Sequence, residues 1–97
     1  MDFEWDAVKE LANIRKHKVS FPEAVETFLD PNGLQFVDRK HSRRELRLYW
    51  VGKSSRGKIL TTWFTRRDDK IRIIGYAGMR RFRRLYDETT KAQLPFD

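Results

Sequence analysis

Positive charge is concentrated in one stretch of this 97-residue chain, residues 39–84. The stretch holds twelve arginines and four lysines against three acidic residues, a net charge of +13 in a chain that carries +7 overall. A guanidinium group presents two parallel N–H donors that match two oxygens of a phosphate. The pattern favours nucleic acid as the partner, and a solvated basic surface without a partner is the alternative.

Aromatic side chains accompany these cations in the same stretch: Tyr49, Trp50, Trp63, Phe64 and Tyr76. Unpaired bases stack on aromatic rings that lie beside cations. Packing in the core is the competing role for each ring, and we expect at least half of them to serve it.

Length and composition exclude several other classes of protein. The length predicts one domain over residues 1–97. The chain has no cysteine, and its two histidines, His17 and His41, lie far apart, so we expect no disulfide, metal or other cofactor. The acidic start MDFEWD and the lack of a long apolar run predict neither a signal peptide nor a membrane span. This composition fits a cytoplasmic location.

Three helices are predicted from capping residues and helical spacing. Asp6 is an N-cap for a helix over residues 7–17. Ser20 begins an S-x-x-E capping box at the start of a second helix, which ends at the turn of residues 30–33. A third helix is expected over residues 79–91.

Alternating apolar and polar residues predict antiparallel strands over residues 34–38, 45–53, 58–67 and 70–76. A three-residue loop with Gly57 in the left-handed position and a two-residue connection at 68–69 set the pairing. Arg47 then lies opposite Thr65, and Thr65 lies opposite Arg72. The predicted fold class is α+β, with two N-terminal helices, a roughly four-stranded antiparallel sheet and a C-terminal helix.

This pairing sorts the strand residues onto two faces of the sheet. The apolar face is predicted to be the core face: Leu46, Leu48, Trp50, Leu60, Thr62, Phe64, Ile71 and Ile73. The opposite face, which we call the site face, mixes cations, rings, hydroxyls and a carboxylate: Glu45, Arg47, Tyr49, Val51, Thr61, Trp63, Thr65, Arg67, Lys70, Arg72, Ile74 and Tyr76.

Four arginines crowd the start of the third helix: Arg80, Arg81, Arg83 and Arg84. Cations at a helix N-terminus oppose the helix dipole, by up to about 1 kcal/mol each. A bound anion would offset this repulsion, and plain hydration of exposed arginines is the alternative.

Five motifs, in order along nearly the whole chain, resemble those of the BrnT family, the toxin half of BrnT/BrnA type II toxin-antitoxin pairs. They read D-x-x-K-x-x-x-N-x-x-K-H, F-x-x-A, H-S-x-x-E-x-R, G-x-S-x-x-G-x-x-L, and T-x-R followed by R-I-I. They fall on Asp6, Lys9, Asn13, Lys16, His17, Phe21, Ala24, His41, Ser42, Glu45, Arg47, Gly52, Ser54, Gly57, Leu60, Thr65, Arg67, Arg72, Ile73 and Ile74. Each motif alone is weak, and their order makes the resemblance specific.

The chain also departs from the family pattern. Arg66 stands where many relatives have Glu, and residues 75–78 read G-Y-A-G in place of a frequent S-A-R, so a role of that family arginine must move or be absent. Arg80, Arg83 and Tyr86 are similar to the R-x-x-R-x-x-Y of a second branch of the family.

The resemblance implies a RelE-like fold and a ribonuclease toxin that cleaves RNA and inhibits translation. It also implies neutralisation by a small BrnA-like antitoxin with a ribbon-helix-helix DNA-binding part. Two other hypotheses explain the charge equally well: a non-catalytic RNA- or DNA-binding module, and a protein-interaction domain whose basic face binds an acidic segment.

RNA can be cut without a metal when its own 2′-OH attacks the adjacent phosphate, so the protein needs a base, an acid and cations. The expected phosphate ligands are Arg47, Arg67 and Arg72. The base is Glu45 or His41, and the acid is His41 or Tyr76. The expected RNA-binding residues are Tyr49, Trp63, Tyr76, Arg80 and Arg83.

Structural roles remain open for several of these residues. Glu45 can be an ion-pair partner of Arg47, and His41 can be a turn residue. Lys16 and His17 can be cations at the end of a helix.

Clustered charge predicts that the isolated protein binds single-stranded RNA with strong salt dependence. If about five phosphates are neutralised, the logarithm of the affinity should fall with the logarithm of salt concentration at a slope of about −3 to −4. Titrations of a labelled oligonucleotide at several salt concentrations measure this slope. A slope near zero would remove the electrostatic argument.

Overall fold

The computed structural model describes residues 2–93 and contains one five-stranded sheet with helices packed on both faces. Its elements are β1 (Asp2–Glu4), α1 (Ala7–His17), α2 (Phe21–Glu26), β2 (Leu34–Val37), β3 (Arg47–Lys53), β4 (Ile59–Arg67), β5 (Lys70–Ala77) and α3 (Arg80–Gln93). Single turns of 3₁₀ helix, Thr27–Leu29 and Arg39–His41, follow α2 and β2. The strand order is β1-β5-β4-β3-β2.

The predicted α+β class is confirmed. Strands β2 to β5 form the expected antiparallel sheet, and β1 adds a fifth strand that pairs in parallel with β5. Within residues 2–93, no helix is both long enough and apolar enough to cross a membrane.

Both predicted N-caps are present. The Asp6 side chain accepts the backbone N–H of Val8 at 2.8 Å, and the Ser20 hydroxyl accepts that of Glu23 at 3.2 Å. The Glu23 carboxylate turns away from the helix end and accepts a hydrogen bond from the Ser54 hydroxyl at 2.8 Å. This contact ties α2 to the loop between β3 and β4.

The predicted pairing of β3, β4 and β5 is confirmed where it positions the arginines. Arg47 pairs with Thr65, Thr65 pairs with Arg72, and Arg67 pairs with Lys70. The loop from β3 to β4 closes as expected, with Gly57 at a φ of 81° in the left-handed region. Arg47, Arg67 and Arg72 therefore share one face of the sheet.

A β-bulge overturns the prediction that Tyr76 lies on the site face. Trp63 pairs with Gly75 while Phe64 pairs with Ile73, so Ile74 is an extra residue in β5. One extra residue reverses the alternation of side chains beyond it. Tyr76 consequently lies on the core face, almost fully buried, and its hydroxyl donates a hydrogen bond to the Val19 carbonyl.

The core face is covered by the end of α1, α2 and the 3₁₀ turn that follows α2. Its buried residues are Val19, Phe21, Ala24, Leu48, Leu60, Phe64, Ile71, Ile73 and Tyr76. The Phe28 ring stacks on Trp50 at 5.4 Å between centroids and meets Phe64 edge-on at 5.1 Å. Leu46, predicted for this core, lies before β3 and is exposed, because the strand begins only at Arg47.

Helix α3 packs across half of the site face. Its Phe82 ring lies 5.6 Å from Tyr49 and 5.9 Å from Phe36. Farther along, the Tyr86 hydroxyl donates to the Asp30 carboxylate at 2.5 Å. The half of the face that holds Val51 is therefore a second core, and the end that holds Arg47 and Arg67 remains open.

A test of the packing uses two glycines in strands. A Cβ at Gly52 would lie 2.6 Å from the Thr27 carbonyl oxygen and 2.8 Å from the Trp50 indole nitrogen, which themselves form a 2.6 Å hydrogen bond. Gly52→Ala should therefore lower the free energy of unfolding by about 1–3 kcal/mol, measured by urea denaturation. The matched control is Gly75→Ala, because nothing lies within 4 Å of a Cβ at Gly75. Equal losses in the two variants would contradict this packing.

Candidate functional site

The open end of the site face contains a cleft of about 470 Å³, which we call the Arg47 cleft. Its lining residues are Lys40, His41, Arg43, Arg44, Glu45, Arg47 and Arg67. They come from the connection between β2 and β3, the first residue of β3 and the last residue of β4. Four of the five predicted catalytic residues are therefore brought together, along with three further cations.

Polar side chains fold the connection between β2 and β3 back on itself. The Ser42 hydroxyl donates to the Asp38 carbonyl at 2.6 Å and accepts the Arg47 backbone N–H at 3.0 Å. The Asp38 backbone N–H also donates to the Arg47 carbonyl at 2.8 Å. This network holds His41 and Arg47, which lie on opposite sides of Ser42 in the chain, at the same cleft.

Asp38 orients the imidazole of His41. Its carboxylate lies 2.9 Å from Nδ1 of His41, and Asp38 is 3% exposed whereas the His41 side chain is 52% exposed. Burial by itself raises the pKa of Asp38, but hydrogen bonds from His41 and Tyr49 outweigh this and hold the pKa below its ordinary value. An ionised carboxylate can only accept, so Nδ1 carries a proton and Nε2 is left for a substrate.

Sequence reasoning missed Asp38. The available signal was its position three residues before His41. At that spacing, a side chain that caps the 3₁₀ turn between them can also reach the His41 ring. The structural reading of His41 as a turn residue and the catalytic reading are therefore compatible, because the same turn sets the ring orientation.

Glu45 and Arg67 form a bidentate ion pair. Nε and Nη2 of Arg67 donate to the two carboxylate oxygens of Glu45 at 3.2 and 3.0 Å. These hydrogen bonds lower the pKa of Glu45 and raise the pKa of Arg67 from their ordinary values. The ion-pair partner considered for Glu45 from the sequence was Arg47, whereas the structure pairs it with Arg67.

Arg47 carries an unsatisfied donor at this site. Its Nε is buried and has no hydrogen-bond partner among residues 2–91. A buried donor without a partner costs about 1–3 kcal/mol, and a turn of the Arg47 side chain toward a phosphate oxygen in the cleft would relieve that cost.

The remaining predicted site residues lie outside the Arg47 cleft. Arg72 is across β4 from Arg47 and lies 3.6 Å from the Glu4 carboxylate. Tyr49 is half-buried between Phe82 and Trp63, whose ring it meets edge-on at 5.6 Å.

The other three predicted site residues differ in their exposure to solvent. Arg80 and Arg83 are exposed near the start of α3. Tyr76 is enclosed in the core and cannot stack on a base or donate a proton to one, so its predicted roles are wrong.

A basic cleft on an α+β fold suits a protein that binds a polyanion such as RNA. Residues 5–84 match a family described as "Ribonuclease toxin, BrnT, of type II toxin-antitoxin system". No curated protein matches the chain significantly. The matched segment covers most of the chain, so the chain belongs to the BrnT family of ribonuclease toxins, and the resemblance drawn from its motifs is confirmed.

The Asp38 contact predicts a pH dependence of stability. Because the pKa of Asp38 is lower in the folded protein, the folded state binds fewer protons than the unfolded chain in acid. The contribution of Asp38 is complete above the ordinary value of 3.8 and is lost as the pH falls through the lower folded-state value. Asp38→Asn should therefore reduce the loss of unfolding free energy between roughly pH 5 and pH 2, measured by urea denaturation.

The matched control for this prediction is Asp69→Asn, at the exposed turn between β4 and β5. It should keep the acid-induced loss of stability seen in the wild type. An Asp38→Asn variant with the wild-type pH dependence would contradict the assigned contact.

Proposed function

We propose that this protein is a metal-independent endoribonuclease that cuts single-stranded RNA in the Arg47 cleft. The observation that carries the proposal is the buried, unpaired Nε of Arg47 in a wall that also presents His41, Glu45 and Arg67. When the Arg47 side chain turns toward a phosphodiester bound there, Nε gains an acceptor, and the phosphate meets cations from two strands. The charge that develops on the phosphorane in the transition state is then stabilised by groups already in place.

We assign His41 as the acid and Glu45 as the base. The burial of Tyr76 supports this assignment, because it removes the other candidate acid. The Arg67 guanidinium lowers the pKa of Glu45, so its carboxylate is available to accept a proton, while Asp38 accepts a hydrogen bond from Nδ1 of His41 and leaves Nε2 for the substrate. A proton acceptor and a proton donor on either side of one phosphate are what a paired base and acid require.

The reaction proceeds by transfer within the RNA. Glu45 takes the proton of the 2′-OH as the 2′-oxygen forms a bond to phosphorus, and the bond from phosphorus to the 5′-oxygen breaks. Nε2 of His41 gives its proton to the departing 5′-oxygen. The products are a 2′,3′-cyclic phosphate and a 5′-hydroxyl. Binding of the phosphate to Arg67 releases Glu45 from its ion pair, which frees the carboxylate to act.

Neighbouring residues contact the RNA on either side of this phosphate. Arg72 adds positive charge from β5, and Trp63, with Tyr49 packed against it, lies on the same face for stacking with a base. Arg80 and Arg83 contact the strand as it passes α3.

The biological setting is part of the proposal. Cleavage of RNA inhibits translation in the cytoplasm until a small BrnA-like antitoxin with a ribbon-helix-helix part binds the toxin. Support comes from the family, whose description places the toxin in a type II toxin-antitoxin system.

Arginine substitutions on opposite faces of β4 test the site. Arg67→Ala should lower turnover about a hundredfold or more, because it removes a cation that acts in the transition state. Arg66→Ala is the matched control, since Arg66 is the neighbouring residue on the other face and lies outside the cleft. Arg72→Ala should also reduce turnover. Rates are measured on a fluorogenic single-stranded RNA, with thermal unfolding to confirm that each variant folds.

Metal independence and product chemistry have their own assay. The wild type should cut RNA in the presence of EDTA and leave 2′,3′-cyclic phosphate or 3′-phosphate ends, identified by mass spectrometry. Cleavage abolished by EDTA would defeat the mechanism. Equal activity of the Arg67→Ala and Arg66→Ala variants would defeat the residue assignment and leave family membership intact.

A further inference from the structure

A second basic cleft, of about 530 Å³, lies at the opposite end of β4 from the Arg47 cleft. We call it the Lys58 cleft. Its lysine and arginine lining residues are Lys16, Lys58 and Arg83, and His17 lies beside them. They come from the end of α1, the loop between β3 and β4, and the beginning of α3, so three elements distant in sequence converge here. Among the residues that the structure describes, none of those lining this cleft is acidic.

The negative end of the α1 helix dipole neutralises only part of this positive charge. The C-terminus of α1 carries roughly half a negative charge, and Lys58 Nζ lies 3.5 Å from the Lys18 carbonyl at that end. Lys16, Lys58 and Arg83 are three full charges, and none of them lies within 4.0 Å of an acidic side chain among residues 2–91. An excess of positive charge therefore remains in a concave site.

We propose that the Lys58 cleft binds a second phosphate of the same RNA strand, beyond the phosphate that is cut. This inference rests on the proposed function. Between the two clefts lies the start of α3, where Phe82 packs on Tyr49 and the Arg81 guanidinium lies 4.7 Å from the centre of the Phe82 ring. The ends of β4 are about 26 Å apart, a distance that a strand of several nucleotides can span.

RNA fits this arrangement better than an acidic protein segment does. A polyanion held at the Arg47 cleft leaves it along the face where α3 begins, and its phosphates recur regularly along that path. The cations of the Lys58 cleft and of α3 then contact successive phosphates of one ligand. The arginines at the start of α3 meet an anion there, which offsets their opposition to the helix dipole.

The test compares two double variants of equal charge. Lys16→Gln/Lys58→Gln alters the cleft, and Lys9→Gln/Lys91→Gln removes two exposed lysines elsewhere on α1 and α3. Each is titrated with a 2′-O-methyl oligonucleotide, which cannot be cut because it lacks the attacking hydroxyl. The salt slope of the Lys16→Gln/Lys58→Gln variant should be smaller than that of the control by about 0.7, the value for one phosphate contact.

The dependence of binding affinity on RNA length is a second readout. The wild type and the control should bind a long oligonucleotide more tightly than a short one that fills only the Arg47 cleft, and the Lys16→Gln/Lys58→Gln variant should lose this gain. Arg83→Gln should lose it as well, and it replaces the double variant if that variant does not fold.

Equal salt slopes and equal length gains in the two double variants would overturn the inference. So would loss of binding to a polyglutamate peptide with RNA binding unchanged, because the cleft would then serve an acidic protein. A smaller slope in a protein that does not cut RNA would support the second phosphate site and refute only the proposed catalysis.

Discussion

The pairing of β3, β4 and β5 is the constraint on which the rest of the structure depends. Because side chains alternate along a strand, the match of Arg47 with Thr65 and of Thr65 with Arg72 decides which residues face the core and which face the cleft. Two connections hold this register, one with Gly57 and one with Asp68 in the left-handed region. A slip of one residue would bury Arg67 and expose Phe64, and both the core and the site would be lost.

Polar contacts hold the site together beside this sheet, and one of its hydrogen-bond donors remains without an acceptor. Ser42 and Asp38 fold the connection between β2 and β3 so that His41 and Arg47 reach one cleft. The buried Nε of Arg47 has no partner in the described chain, and Glu45 occupies Arg67 through a carboxylate that resembles a phosphate in charge and geometry. The unpaired Nε of Arg47 costs stability in the free protein, and in the proposed function a bound phosphate would offset that cost.

Much of this arrangement could be predicted from the sequence because it depends on local rules. The alternation of apolar and polar residues and the lengths of the loops were sufficient to predict the pairing of Arg47, Thr65 and Arg72. The N-cap residues located the first two helices. The bulge at Ile74 could not be predicted, since the residues on both sides of it keep an alternating pattern, and it moved Tyr76 into the core. The packing of α3 over Tyr49 depends on distant contacts, because an aromatic residue in a strand suits a second core as well as a binding face.

The central claim is that Arg47 and Arg67 together bind the phosphate that is cut. Resonances of the Nε–H groups of arginine report directly on hydrogen bonding at each guanidinium, and they can be followed by NMR during titration with a 2′-O-methyl oligonucleotide. The account predicts that the signals of Arg47 and Arg67 shift as RNA binds, because Nε of Arg47 gains an acceptor and Arg67 exchanges Glu45 for phosphate. The signal of Arg66, on the other face of β4, should stay in place. Saturable RNA binding with the Arg47 and Arg67 signals unchanged would contradict the account.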